Sequence, residues 1–218
     1  MPKQTFYNLP DDKRETLITI ALDEFATHDY KNASISQIVA KAGIAKGSFY
    51  QYFQNKADLY RYLLDLGADA KMEMLSTTPP DPGIGIFVFL RWLMQERGQF
   101  DLHNPQLSQI GYRAAKNNDF PDDYLEDMMG QVRPFFTQLV TQGQQQGDIA
   151  SDIDADLASF IFYVIFIELG IYLIDKLDVS VDGKLDDNHT PFSSPQADKL
   201  FDQVLRILES GMKPRSTP

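Results

Sequence analysis

The chain has 218 residues, no cysteine and a formal net charge of -11. Its length suits one or two domains around a substantial core. The absence of thiols excludes disulfides, zinc–thiolate centres and cysteine nucleophiles and fits a reducing cytoplasm, and the polar N-terminus lacks the apolar run of a signal peptide.

Overall acidity argues against a nucleic-acid partner, but its distribution does not. Residues 1–62 carry eight Lys or Arg against seven Asp or Glu, whereas the rest of the chain carries 12 against 24. A near-neutral N-terminal segment ahead of an acidic body reads as two domains of different character, divided as 1–56 and 57–218.

A first helix is predicted over about 10–28. Pro10 suits a first turn, Asp11, Asp12 and Glu15 complement the helix dipole, and Ile18, Ala21, Leu22 and Phe25 form one apolar stripe. Ser34, with Gln37 three residues on, has the capping-box spacing. Ile35, Ile38, Val39 and Ala42 then give a second, short helix that Gly43 ends. A third runs from about 46 to 52, with Phe49 and Phe53 inward. Two short helices around a glycine turn form a helix-turn-helix, whose second helix enters the DNA major groove. Lys46, Ser48, Tyr50 and Gln51 can donate hydrogen bonds, and Gly47 admits close approach of a phosphate. Lys56 stands near the next helix start, where amides and the dipole favour anions. With Ser34, these are the candidate DNA-binding residues. On spacing alone, a solvated surface hairpin is the alternative.

Residues 42–60 read Ala-Gly-Ile-Ala-Lys-Gly-Ser-Phe-Tyr-Gln-Tyr-Phe-Gln-Asn-Lys-Ala-Asp-Leu-Tyr. Together with Ile-x-x-Ala-x-x-x-Phe at 18–25 and Ser-Ile-x-x-Ile-Val at 34–39, this run resembles the DNA-binding domain of the TetR family of bacterial transcriptional regulators. Gln51 departs from the pattern, since many relatives carry histidine there. The resemblance covers about the first quarter of the chain, and no subfamily motif follows residue 65. It implies an all-α protein: an N-terminal three-helix helix-turn-helix domain, then a C-terminal helical bundle for effector binding and dimerisation.

Asn55 and Asp58 cap a long fourth helix, about 55–76, before the proline-rich break at 77–83. Further helices are predicted over about 83–99, 104–117, 121–145 (kinked at Pro134), 154–178 and 195–212. The 154–178 stretch is long enough to span a membrane, yet Glu168, Gly170 and its acidic flanks favour a helix buried between neighbours and a partner subunit. No membrane partner is expected. Residues 179–195 form a polar loop, and the tail after 212 should fray.

Phe89, Trp92, Tyr112, Met128, Phe135, Phe162 and Phe166 recur at helical spacing and are core by default. The family resemblance makes them candidate lining for an apolar or aromatic effector. Glu168 pairs across a subunit interface, caps that pocket or faces a solvent gap. Leu200, Val204, Ile207, Leu208 and Gly211 form a stripe suited to a homodimer interface, with Gly170 and Gly211 permitting close helix approach. His28, His103 and His189 are isolated, and Asp152, Asp154 and Asp156 lack a calcium-loop pattern, so no metal site is expected. Neither a phosphate-binding glycine loop nor a nucleophile elbow occurs, so no enzyme and no cofactor is expected. The reading is a homodimeric, ligand-responsive regulator, in the main a repressor, on palindromic operator DNA. The alternatives are a ligand-independent DNA-binding dimer, or a helical-bundle enzyme or lipid-binding protein with a vestigial helix-turn-helix.

Overall fold

The computed structural model describes residues 1–77, 80, 81, 83–177, 192 and 194–214, to which every structural statement below refers. Among them are ten α-helices and no strand: α1 (Gln4–Tyr7), α2 (Asp11–Thr27), α3 (Ile35–Lys41), α4 (Lys46–Tyr52), α5 (Lys56–Thr77), α6 (Ile86–His103), α7 (Pro105–Asn117), α8 (Tyr124–Gln146), α9 (Ala155–Lys176) and α10 (Pro195–Met212). The expected all-α class holds. Nine of the ten helices were expected from periodicity, and α1 was not.

The chain forms two compact units. The first comprises Met1–Glu73 and His103–Tyr124, and the second comprises Met74–Leu102 with residues 125–177, 192 and 194–214. In the first, α2 packs on α3 and α7, and α4 packs on α3 and α1. Its core is aromatic: Phe6, Phe25, Phe49, Phe53 and Tyr60 are all essentially inaccessible. Burial pushes the Tyr60 phenol above its ordinary pKa, as does the nearby Asp119 carboxylate.

Local chemistry sets α3 and its turn. Ser34 accepts from Gln37 N at 3.4 Å. The reciprocal half of a capping box is replaced, because Ser34 N donates to the buried Glu24 carboxylate at 2.9 Å. At the other end Gly43 has φ +65°. Ile44 N donates to Val39 O and Gly43 N to Ala40 O, the two bonds of a Schellman cap. The predicted glycine reversal is therefore present.

The second unit buries the inner faces of α6, α8, α9 and α10 around Ile86, Leu90, Phe136, Val140, Phe162, Leu205 and Leu208. Two helix starts lie later than predicted. Helix α6 begins at Ile86, where Asp148 Oδ2 accepts from Ile86 N at 2.9 Å. Gly85 precedes it at φ +81°, and a Cβ there would lie 2.9 Å from that carboxylate. Helix α8 begins at Tyr124, after a turn in which Tyr124 N bonds Pro121 O and Asp123 has φ +61°. The helix continues unbroken through Pro134. Asp154 caps α9 by accepting from Leu157 N at 2.8 Å.

By length and hydropathy α9 is apolar enough to cross a bilayer. Ala158, Phe162, Tyr163, Leu169 and Leu173 nevertheless form a buried face, while Leu157, Phe160 and Tyr172 are exposed. The predicted 179–195 loop falls almost wholly outside the described residues, as does the end of the tail.

Candidate functional site

Helix α4 divides cleanly between core and solvent. Phe49 is fully buried and stacks on Phe53 at 5.6 Å, fixing one side of the helix. Lys46, Gly47, Tyr50 and Gln51 are exposed on the other side, and Ser48 is half-buried at its edge. That spacing (i, i+1, i+4, i+5) is one face of a helix. Ala45 offers no side chain to cap the N-terminus. The face thus presents an ammonium, a phenol and a carboxamide around a glycine that leaves room for close approach. Ser34 sits at the start of α3, where its hydroxyl oxygen serves as the N-cap.

Lys56 does not join this face in the expected way. Its ammonium donates to Tyr30 O at 2.6 Å, Ala33 O at 3.1 Å and Lys31 O at 3.2 Å, and lies 4.7 Å from the Tyr30 ring centroid. Three carbonyls use all three ammonium hydrogens. The lysine therefore ties the α2–α3 connection to the start of α5. Sequence spacing showed that Lys56 was near a helix start, but not that three loop carbonyls lay within reach of its ammonium. Lys41 is likewise engaged, at 3.7 Å from both Asp23 and Glu24.

The aromatic candidates separate. Phe89 lies 5.3 Å from Trp92 and 6.1 Å from Phe135, and Phe166 reaches Phe136 at 5.7 Å. Phe162 is buried beneath Phe87, and Met128 is half-buried on α8. Tyr112 belongs to the first unit, where it is buried on α7. A cleft of about 250 Å³ lies between the 80–86 segment and α8, lined by Ile84, Ile86, Phe89, Phe135, Gln138 and Gln142. An open groove of about 960 Å³ shares Gln138, Gln142 and Gln146 with it and adds Arg133 and Gln145. Sequence reasoning assigned no binding role to the glutamines of α8. Their recurrence at 138, 142 and 145 along one side of α8 was the available signal.

Glu168 is exposed in the single chain, on the same side of α9 as Phe160 and Tyr172. On α10, Leu200 and Val204 are half-buried, and Ile207 and Gly211 are exposed. Leu208 instead belongs to its own unit's core. Gly170 is also committed within the unit, since a Cβ there would lie 2.6 Å from Arg97 Nη2.

Two family profiles divide the chain between them. Residues 17–63 match "Bacterial regulatory proteins, tetR family", and residues 84–213 match "Tetracyclin repressor-like, C-terminal domain". The chain belongs to the TetR family of transcriptional regulators.

Members of this family are DNA-binding regulators, and α4 of this TetR-family chain lies within the stretch that matches the family's N-terminal profile. The structure resembles the crystal structure of a TetR-family transcriptional regulator from Chloroflexus aurantiacus J-10-FL. That protein is 43% identical, with 99% of this chain and 100% of that one covered and a TM-score of 0.74. FadR from Bacillus subtilis in complex with stearoyl-CoA shares the fold at 17% identity, with 91% and 98% covered and a TM-score of 0.65. Among curated proteins, the uncharacterized HTH-type transcriptional regulator YdgC of Bacillus subtilis (strain 168) is 38% identical over 53 residues, 24% of this chain and 27% of that protein. The chain thus spans about a quarter of that relative's length.

Proposed function

We propose that this TetR-family regulator binds palindromic operator DNA as a homodimer in the cytoplasm, acts as a repressor, and is released by a small apolar or aromatic effector. The observation that carries the DNA part is the exposed α4 face of Lys46, Gly47, Tyr50 and Gln51, set over an aromatic core. Lys46 supplies a phosphate contact, while Ser48 and Gln51 reach base edges. Ser34 stands at the N-terminus of α3, where that helix crosses the backbone.

Dimerisation is supported by apolar side chains that the single chain leaves uncovered. Leu157, Phe160 and Tyr172 on α9 and Ile207 on α10 are each at least half exposed. Two such helices from each subunit form an intermolecular four-helix bundle, burying roughly 2,000 Å² or more. Glu168 falls within the α9 part of this surface and pairs across it with the partner copy. A symmetric dimer places two α4 helices on successive major grooves, about 34 Å apart.

The effector reading rests on the cleft beside Phe89 and Phe135, with Trp92 next to it. Proteins of the same fold, at 17% and 20% identity, include the stearoyl-CoA complex and a gamma-butyrolactone receptor. At that identity the likeness is one of fold, and the ligand class comes from this chain's own lining. Bound effector favours a dimer whose α4 helices no longer match the groove spacing, a coupling between two sites. The test is a mobility shift on DNA flanking the protein's own gene, with and without a library of apolar compounds. A true effector changes Trp92 emission at the concentration that releases DNA. Release that saturates while emission stays flat places the effector site elsewhere.

A further inference from the structure

Helix α4 has only seven residues, and helices this short are marginal in isolation. Its last carbonyls have no partner within the helix. Phe53 N closes the final intrahelical bond to Phe49 O. Gln54 N, the next amide in line, is diverted to Asp58 Oδ2 at 3.0 Å. The carbonyls of Tyr50, Gln51 and Tyr52 are therefore left to other donors.

One tripeptide supplies all three. Lys3 Nζ donates to Tyr50 O at 2.7 Å, the Thr5 hydroxyl donates to Gln51 O, and Lys3 N donates to Tyr52 O at 2.8 Å. The tripeptide is anchored by Phe6, which is fully buried 4.9 Å from Phe53 and 5.3 Å from Tyr62. Two of the three carbonyls belong to Tyr50 and Gln51, whose side chains lie on the exposed face. The Lys3 ammonium also lies at the negative end of the α4 dipole, where a cation is favoured.

We infer that Lys3 and Thr5 are positioning residues for sequence recognition. They hold the C-terminal turn of α4 so that Gln51 meets its base at a fixed angle, and they do so without touching DNA. This rests on α4 being the helix that reads DNA. Freeing one carbonyl lets the last turn fray, which blurs readout at the base pair facing Gln51. The phosphate contact of Lys46 and the readout by Ser48, one turn earlier, are left intact.

The test starts from duplexes enriched by the wild-type protein out of a randomised pool. Mismatch panels are then measured for Thr5→Val, Thr5→Ser, Lys3→Gln, Gln51→Ala and Lys46→Ala, with melting followed for each. Thr5→Val should lose about three- to tenfold of discrimination at the position that Gln51→Ala also relaxes, the range for one hydrogen bond. It should be non-additive with Gln51→Ala and additive with Lys46→Ala. Thr5→Ser, which keeps the hydroxyl, should recover it. Lys3→Gln should leave the salt slope of binding unchanged, because its ammonium serves a carbonyl rather than a phosphate. Loss of melting temperature with discrimination unchanged would reduce the tripeptide to a structural brace and overturn the inference. A Lys3→Gln slope lower by about one unit would overturn it for Lys3 by making that residue a phosphate contact. Failure of the wild-type protein to enrich any sequence would overturn the DNA-reading role itself, and the inference with it. That result is distinguishable because it appears before any variant is made.

Discussion

Replacing Lys56 with methionine separates two roles that the sequence left together. Lys56→Met keeps the aliphatic stem but removes three charge-assisted hydrogen bonds, to the carbonyls of Tyr30, Lys31 and Ala33, and the approach to the Tyr30 ring. Bonds to a charged donor are worth about 1.5–3 kcal/mol when one partner is deleted. Because the side chain is half-buried, water replaces part of what is lost. The expected cost is about 2 kcal/mol for the first unit, roughly thirtyfold in its folding equilibrium. A phosphate contact behaves differently: its loss lowers the slope of log K against log salt by about 0.9. Over a fourfold rise in salt, that amounts to a roughly three- to fourfold smaller loss of affinity. Urea denaturation and DNA titration at 50–200 mM salt measure both quantities on one preparation. The structure predicts a lower denaturation midpoint with the salt slope unchanged. A slope reduced by about one unit with an unchanged midpoint would refute the structural role of Lys56.

Three further outcomes follow. Lys46→Ala should reduce the salt slope by about 0.9 and weaken binding evenly across sequences, whereas Gln51→Ala should relax sequence preference with the slope intact; titrations against matched and mismatched duplexes read both. Ile207→Arg, at a residue 68% exposed in the single chain, should leave each subunit folded but cost several kcal/mol in the dimer, where symmetry desolvates the charge twice; sedimentation should show a monomer, and operator binding should fail with residues 1–60 untouched. Burial raises the pKa values of Tyr60 and Tyr124 above 10.0, so the folded state holds those protons more tightly than the unfolded chain, and stability present below pH 10 should fall as pH rises beyond it; denaturation midpoints at pH 9 and 11 should converge in the Tyr60→Phe, Tyr124→Phe variant relative to the parent.

What the sequence disclosed depended on how local the controlling interaction was. The α3–turn–α4 motif was legible because Ser34, Gly43, Phe49 and Phe53 act through neighbours a few residues away. The long helices were legible from periodicity, although α6 starts late because its cap, Asp148, comes from 62 residues further along. Helix α1 escaped because Phe6 and Thr5 anchor its four residues on partners that are remote in sequence, Phe53 and Tyr62 for the one and Gln51 O for the other. The role of Lys56 escaped for the same reason, since its three acceptors lie 23 to 26 residues away. On α10, the stripe through Leu200, Val204, Ile207 and Gly211 was visible by spacing. That Leu208 turns inward became clear only once α6, α8 and α9 stood around it.

The central claim is that the exposed side of α4 reads DNA. It is tested most directly by enriching duplexes from a randomised pool with the wild-type protein and with the Lys46→Ala, Gln51→Ala double variant, both confirmed as folded by their melting. The account predicts a palindromic consensus for the wild-type protein and, for the double variant, much weaker binding with the preference lost at the base pairs facing Gln51. A double variant that enriches the same consensus with the same affinity would contradict it, by placing sequence recognition outside α4.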